Sequence, residues 1–325
     1  MKIWATIRHA ISLVGQHRKM VGIIYLVNLC IGLVFSIPLF ILFNRHVSTL
    51  TMRDDLLSGL HYSWWSSFNF SAQGLENSIR PSLSGGYGPL FDNLELLLTG
   101  QFHSFGWFVF FIALAYLFIA AFFNGGAISL FTDERKSFTT SRFFSGAGAN
   151  FHHMAALATT SLLVFALLYK LITPLVFSLV DNIVGESTVQ SFVWIINLAG
   201  YLVIFVLVFL ITLIFDYAKV IVINDKKESS WLCIWLSVKF IFSNFFKTTG
   251  LNSVLVLGAV IFVIVGGLFI SLVQPTQILL LILLTIIQQL FVLIKIGLRL
   301  TFYAAETHFF QQHVAAKAVV RKRKR

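Results

Sequence analysis

Charge is what this sequence has least of. Only 11% of its 325 residues are Asp, Glu, Lys or Arg, against about 25% in a soluble domain. A chain that is 58% hydrophobic with so few charges has its core in lipid. Cysteine is nearly absent too: Cys30 and Cys233 fall in separate segments, which excludes a disulfide framework. There is no G-x-x-x-x-G-K-[ST] phosphate loop, no G-x-S-x-G elbow and no H-E-x-x-H metal helix, so the common nucleotide, hydrolase and zinc signatures are missing. No apolar run carries an acid at its centre, which argues against a proton-coupled pump.

What is present is a series of long apolar runs. Six reach the length needed to cross about 30 Å of hydrocarbon at about 1.5 Å per residue. They are Val21–Phe43, Gly106–Phe131, Met154–Val180, Ser191–Phe215, Ser253–Val273 and Ile278–Leu300. The first is too long and starts too late for a signal peptide, and Pro38 is expected to bend its far end. The pattern predicts an all-α, polytopic membrane protein with a single six-span domain over 20–325.

The formal charge of +11 is distributed by side. One set of connections carries Arg45, Arg53 and Arg80 against Asp54, Asp55, Glu76, Asp92, Glu95, Asp181 and Glu186. The other, with the helix ends beside it, carries twenty basic and six acidic residues, leaving Lys170 near the outer end of the third run. Basic residues collect on the cytoplasmic side, so both termini are expected there. Clustering of the surplus beside membrane runs also argues against nucleic acid as a partner.

Residues 1–19 predict an interfacial amphipathic helix, with Ile3, Ile7, Ala10, Ile11 and Val14 on one face, Trp4 at its edge and cations opposite. The outer segment 44–103 is too rich in Ser and Gly for a catalytic domain. Its His61, Tyr62, Trp64, Trp65, Phe68 and Phe70 read as an aromatic belt on the headgroups rather than a ligand cleft. On the opposite side two elbows are expected, 137–150 and 231–246, each following a charged turn. The tail 301–325 predicts a further amphipathic helix ending in Arg321, Lys322, Arg323, Lys324 and Arg325. That cluster suits anionic headgroups, at about 1 kcal/mol per basic residue near the surface.

Aligning Ala127 with Ala218 lays one span exit, 127–136, over another, 218–227, each followed by a charged turn and an elbow. The last span runs the same way. The chain thus reads as three hairpin-like units.

Polar residues within the runs are the candidate functional groups. Asp216 lies about 25 residues into its span, roughly 38 Å by helix rise, which places it at the inner interface. Lys219, Lys295, Arg299 and Asn124 lie at similar depth, with Glu306 beyond. These predict a polar layer in which Asp216 pairs with Arg299 or Lys295, as a structural ion pair in preference to a proton or ion relay. Nearer the midplane are Gln288 and Gln289 with Thr285, and, towards opposite faces, Asn28 and Asn197. Amides there usually bond to neighbouring helices. Gly125, Gly126, Gly258, Gly266 and Gly267 are expected to permit close helix packing. His152-His153 and the His308, His313 pair are badly spaced for a metal, and no cofactor is expected.

The Asp216-Tyr217-Ala218-Lys219 exit with Asp225-Lys226-Lys227, the Gly125-Gly126 exit and the six-span plan are similar to a loose group of bacterial inner-membrane proteins. The group includes uncharacterised families and the membrane domain attached to some glycerophosphodiester phosphodiesterases. The phosphodiesterase catalytic domain is absent from this sequence, so the resemblance implies a bacterial cytoplasmic-membrane location and no activity. Three functions are weighed. A non-enzymatic protein that organises lipids, protein partners or further copies of itself comes first. A small-solute or lipid transporter would need Asn28, Asn197 and Gln288 around one cavity. A membrane-embedded enzyme would need the layer of Asp216, Lys219, Lys295, Arg299 and Glu306 to open into a cleft.

Overall fold

The computed structural model describes residues 3–48, 66–68, 70, 107–133, 137–225, 229–272 and 278–323. Among them are helices and no strands. In chain order they are α1 (Ile3–Gln16), α2 (Arg18–Ser48), α3 (Trp107–Thr132), α4 (Thr140–Leu167), α5 (Thr173–Val184), α6 (Gln190–Asn224), α7 (Ser230–Ser243), α8 (Phe245–Leu272) and α9 (Ile278–Arg323). A π turn, Leu168–Ile172, joins α4 to α5 without a break. Pro174 explains it: proline has no N–H to donate and its ring crowds the preceding turn. The Thr173 amide and hydroxyl both reach back to the Leu168 carbonyl instead. Counting α4 and α5 as one, six helices are long and apolar enough to cross a membrane.

The core lies at one end of the bundle. It gathers the start of α2 (Met20, Val21), the end of α3 (Ala127 to Phe131), the first half of α4 (Phe143 to Leu157), the end of α6 (Leu213 to Ile223), the start of α8 (Leu251, Leu255) and Leu300 to Phe310 of α9. We call this the closed end. A smaller cluster, Leu168, Ile204 and Val208, joins the α4–α5 rod to α6. Elsewhere the spans present large apolar side chains outward, such as Leu175, Leu179, Trp194, Leu202 and Leu281, as lipid-facing surfaces do.

Three units follow one another: α1, α2, α3; then α4–α5, α6; then α7, α8, α9. The second helix of each pair packs on the helix that opens the next unit. Thus α3 lies along α4, α6 along α7, and α9 along α1, which closes the ring. The three closing helices α3, α6 and α9 also contact one another in pairs. Ala127, Ala218 and Ala304, one from each, are fully buried.

Several boundaries differ from those expected. The elbow 137–150 is not a separate helix: α4 starts at Thr140, capped by the Thr139 hydroxyl, and continues unbroken into the span. It is held against α3 by small residues rather than lying on a surface. A Cβ on Gly126 would stand 2.8 Å from the Phe143 carbonyl oxygen, and one on Gly146 would stand 2.7 Å from Ser129 Oγ. The expected tail helix is the second half of the 46-residue α9. Its residues 300–307 are buried all round, which is the signature of a central helix, not an interfacial one. On α1 the buried face is Thr6, Ile7, Ala10, Leu13 and Val14, and Ile11 points outward at 58% exposure. α7 does stand alone, opened by the Ser229 hydroxyl and ended at Asn244. α2 runs through Pro38. The expected aromatic belt at His61, Tyr62, Trp64 and Trp65 lies outside the described residues; beside it Phe68 is buried and Phe70 exposed.

Candidate functional site

The densest polar group is built where α6 meets α9 in the closed end. Asp216, three residues before Lys219 on α6, is 2% exposed. One of its oxygens, Oδ1, accepts from Lys219 Nζ at 2.8 Å and from the Arg299 guanidinium at 3.1 Å. Arg299 also donates to the Tyr303 hydroxyl at 3.0 Å, one turn along α9. The Tyr303 ring lies under both cations, 4.6 Å from the guanidinium carbon and 5.6 Å from Lys219 Nζ. A buried carboxylate between two cations and over an aromatic face forms a compact ion cluster. It fixes the angle between α6 and α9.

Lys295 takes no part: it is exposed and makes no ion pair among the described residues. Glu306 lies one turn beyond Tyr303, 1% exposed, with no hydrogen-bond partner for either oxygen among the described residues. Tyr217 and Thr307 bury hydroxyls in the same condition. Tyr303 and Tyr217 were not singled out from the sequence. Their spacing beside Arg299 and Asp216 is the only sign, since a tyrosine in an apolar run otherwise reads as lipid-facing.

A second polar tie lies further along α9. Gln311 Nε2 donates to the Thr132 carbonyl oxygen at 3.0 Å and to Asn224 Oδ1 at 2.9 Å. It thereby satisfies a carbonyl in the last turn of α3, where helix carbonyls lack intrahelical partners, and ties it to the Asn224 side chain at the end of α6. Those are the two exits that the Ala127–Ala218 alignment superposes.

The midplane amides do not converge. Asn28 Oδ1 accepts from the Tyr116 hydroxyl at 3.0 Å, joining α2 to α3. Asn197 spends its amide on the Val193 carbonyl of its own helix, and Gln288 is exposed. Its neighbour Gln289 accepts from Tyr25 at 3.1 Å, joining α9 to α2. Of the basic cluster, Arg321, Lys322 and Arg323 close α9 with only their backbone described, and Lys324 and Arg325 lie outside the described residues.

The short helix α7 carries the most distinct surface. Cys233, Ser237 and Ile241 face inward, and the Ser237 hydroxyl donates to the Ile214 carbonyl at 2.6 Å. Phe240 wedges between Tyr217 on α6 and Phe310 on α9. Trp231, Trp235, Phe242 and, past the turn, Phe246 are 66–88% exposed, with Lys239 exposed among them.

Six apolar spanning helices around such a core define an integral, multi-pass membrane protein. No family model, curated protein or solved structure compared with the chain matches it.

Proposed function

We propose that the protein is a non-enzymatic organiser of lipids at the inner face of a bacterial cytoplasmic membrane, with both termini cytoplasmic. The observation that carries this reading is the outer face of α7. Tryptophan prefers the headgroup level, and Trp231, Trp235, Phe242 and Phe246 with Lys239 form an aromatic, cationic stripe that a soluble surface would not expose. The rigid closed end holds this stripe at fixed depth through Ser237 and Phe240. The basic tail adds attraction for anionic headgroups on the same side. Burial of Asp216 and Glu306 supports a structural rather than an enzymatic role, because substrate has no approach to either carboxylate.

The transporter alternative has one observation in its favour, the seam of Tyr25–Gln289 and Tyr116–Asn28 bonds linking α2 to α3 and α9. Asn197 and Gln288 lie away from that seam.

Tryptophan quenching tests the main reading. In vesicles containing phosphatidylglycerol, shallow brominated lipids are expected to quench the wild type more than deep ones, and Trp231→Phe with Trp235→Phe should remove most of that difference. Quenching unchanged by the double substitution would place α7 away from the headgroups and reject the proposal.

A further inference from the structure

We propose that the crevice between α1, α8 and α9 binds a phosphate group, one phosphoryl oxygen entering it and the rest seated at its mouth. The inference rests on the lipid-organising reading and gives it a site. The crevice is small, about 10 Å³, and is lined by Ile3, Thr6, Lys247, Leu251 and Phe309. A single oxygen fits such a space.

Three features specify an anion there. Thr6 is 2% exposed, and its hydroxyl has no hydrogen-bond partner among the described residues. Thr6 lines the crevice, and a buried hydroxyl in such a wall is satisfied by a ligand or a water. Lys247 at the mouth is exposed and makes no ion pair among the described residues, so its three donors are available. Ile3 and Thr6 both lie in the first turn of α1, where backbone N–H groups lack acceptors and the helix dipole favours negative charge. A neutral acceptor would gain less from Lys247 and the helix dipole, and a cationic group would be repelled by both.

The remaining walls, Ile3, Leu251 and Phe309, are apolar. They suit the glycerol and first methylenes of a phospholipid better than the water shell of a free ion. Lys247 directly follows Phe246 of the aromatic stripe at the start of α8, so the lipid-organising reading puts the crevice at headgroup depth. The site therefore takes a lipid-borne phosphate, and inorganic phosphate is the competing source of the same chemistry.

Native mass spectrometry of the full chain separates these cases, with phosphatidylglycerol and inorganic phosphate offered in turn to wild type, Thr6→Val and Lys247→Gln. Wild type is expected to retain phosphatidylglycerol, and each variant to hold it about tenfold less well, as loss of one bond to a charged group implies. Thr6→Val keeps the shape of the side chain, so it reports on the site even if Lys247→Gln folds badly. Retention of inorganic phosphate with the same dependence on both residues would uphold the phosphate site and reject the lipid as its source. Equal lipid retention by all three proteins would overturn the site and leave the role of α7 standing. A wild type that holds neither probe would overturn the site and, with it, lipid organisation.

Discussion

Replacing Asp216 by alanine would leave the Lys219 ammonium and the Arg299 guanidinium facing each other without their shared acceptor. Breaking a buried ion cluster from one side costs about 3–5 kcal/mol, so Asp216→Ala should lower the thermal midpoint in detergent sharply and reduce folded yield. Removing the charges together, as Asp216→Leu with Lys219→Met and Arg299→Met, should recover much of that loss. If the single variant is as stable as wild type, the cluster is not what joins α6 to α9. Glu306 behaves oppositely. Its carboxyl is buried without a partner among the described residues, and an apolar replacement of similar volume relieves that, so Glu306→Leu is expected to leave the midpoint unchanged or raise it. His17, in the turn between α1 and α2, is 3% exposed with neither ring nitrogen hydrogen-bonded among the described residues. It stacks parallel to Phe131 at 6.1 Å. Burial first, and the positive Arg142 in lesser degree, hold its imidazole below the ordinary value of 6.5 against the upward pull of the adjoining Gln16 backbone. The folded state then binds the proton less readily than the unfolded chain, so stability is full above about pH 6.5 and falls as the pH drops through the depressed value. Thermal scans from about pH 7.5 to 5 should show that decline, and His17→Phe should flatten it.

The α3–α4 pair makes the prediction proper to elements. Phe143 sits against Gly126, and Ser129 against Gly146, with no room for a methyl group. Gly126→Ala or Gly146→Ala should therefore cost about 1–3 kcal/mol by overpacking. A Cβ on Gly148, two residues from Gly146, would meet nothing within 4 Å among the described residues, and Gly148→Ala should be neutral or stabilise by about 1 kcal/mol through helix propensity. Equal effects at the two neighbouring glycines, measured by thermal unfolding, would remove the tight interface as the reason α4 is straight. The same packing explains what could be read from the sequence. The runs are lipid-facing over most of their length, so hydropathy alone located all six spans. At the closed end, helices are covered by one another and polarity loses its link to exposure. Thr301, Glu306, Thr307 and Gln311 fall in the stretch expected to be an amphipathic tail helix, yet the first three are buried on all sides of α9 and Gln311 ties two other helix ends. The elbow expected at 137–150 is the start of α4 for the same reason: its Ser, Gly and Asn residues signal a break only until α3 lies against them. In the candidate site, the pairing of Asp216 with Arg299 was legible from depth along two helices. That Lys219 and not Lys295 supplies the second cation was not, because rotation about each axis depends on packing.

At the scale of the whole molecule, the order of contacts matters more than any single one. If α3 grips α4, α6 grips α7 and α9 grips α1, the chain closes on itself like three links, and the last contact joins its most distant parts. Opening that contact frees α1 and the end of α9 together, whereas each of the others joins helices that already follow one another in the chain. The seam is marked by His9 and His308, whose ring centroids lie 4.1 Å apart, with Gln312 within 2.6 Å of His308. Cysteines at those two positions, in a Cys30→Ser background to remove the exposed native thiol, should be joined by a short bifunctional thiol reagent within one chain. The join closes a loop of nearly the whole sequence, and such long loops restrict the unfolded chain most. The linked protein is therefore expected to unfold at higher temperature than the unlinked one. A freely moving α1, lying on the membrane as an independent anchor, would instead link rarely and without gain. Peptide mapping of the product and its thermal midpoint decide between the two. A closed ring makes α1 a structural part of the domain, which is what a phosphate site on its first turn requires.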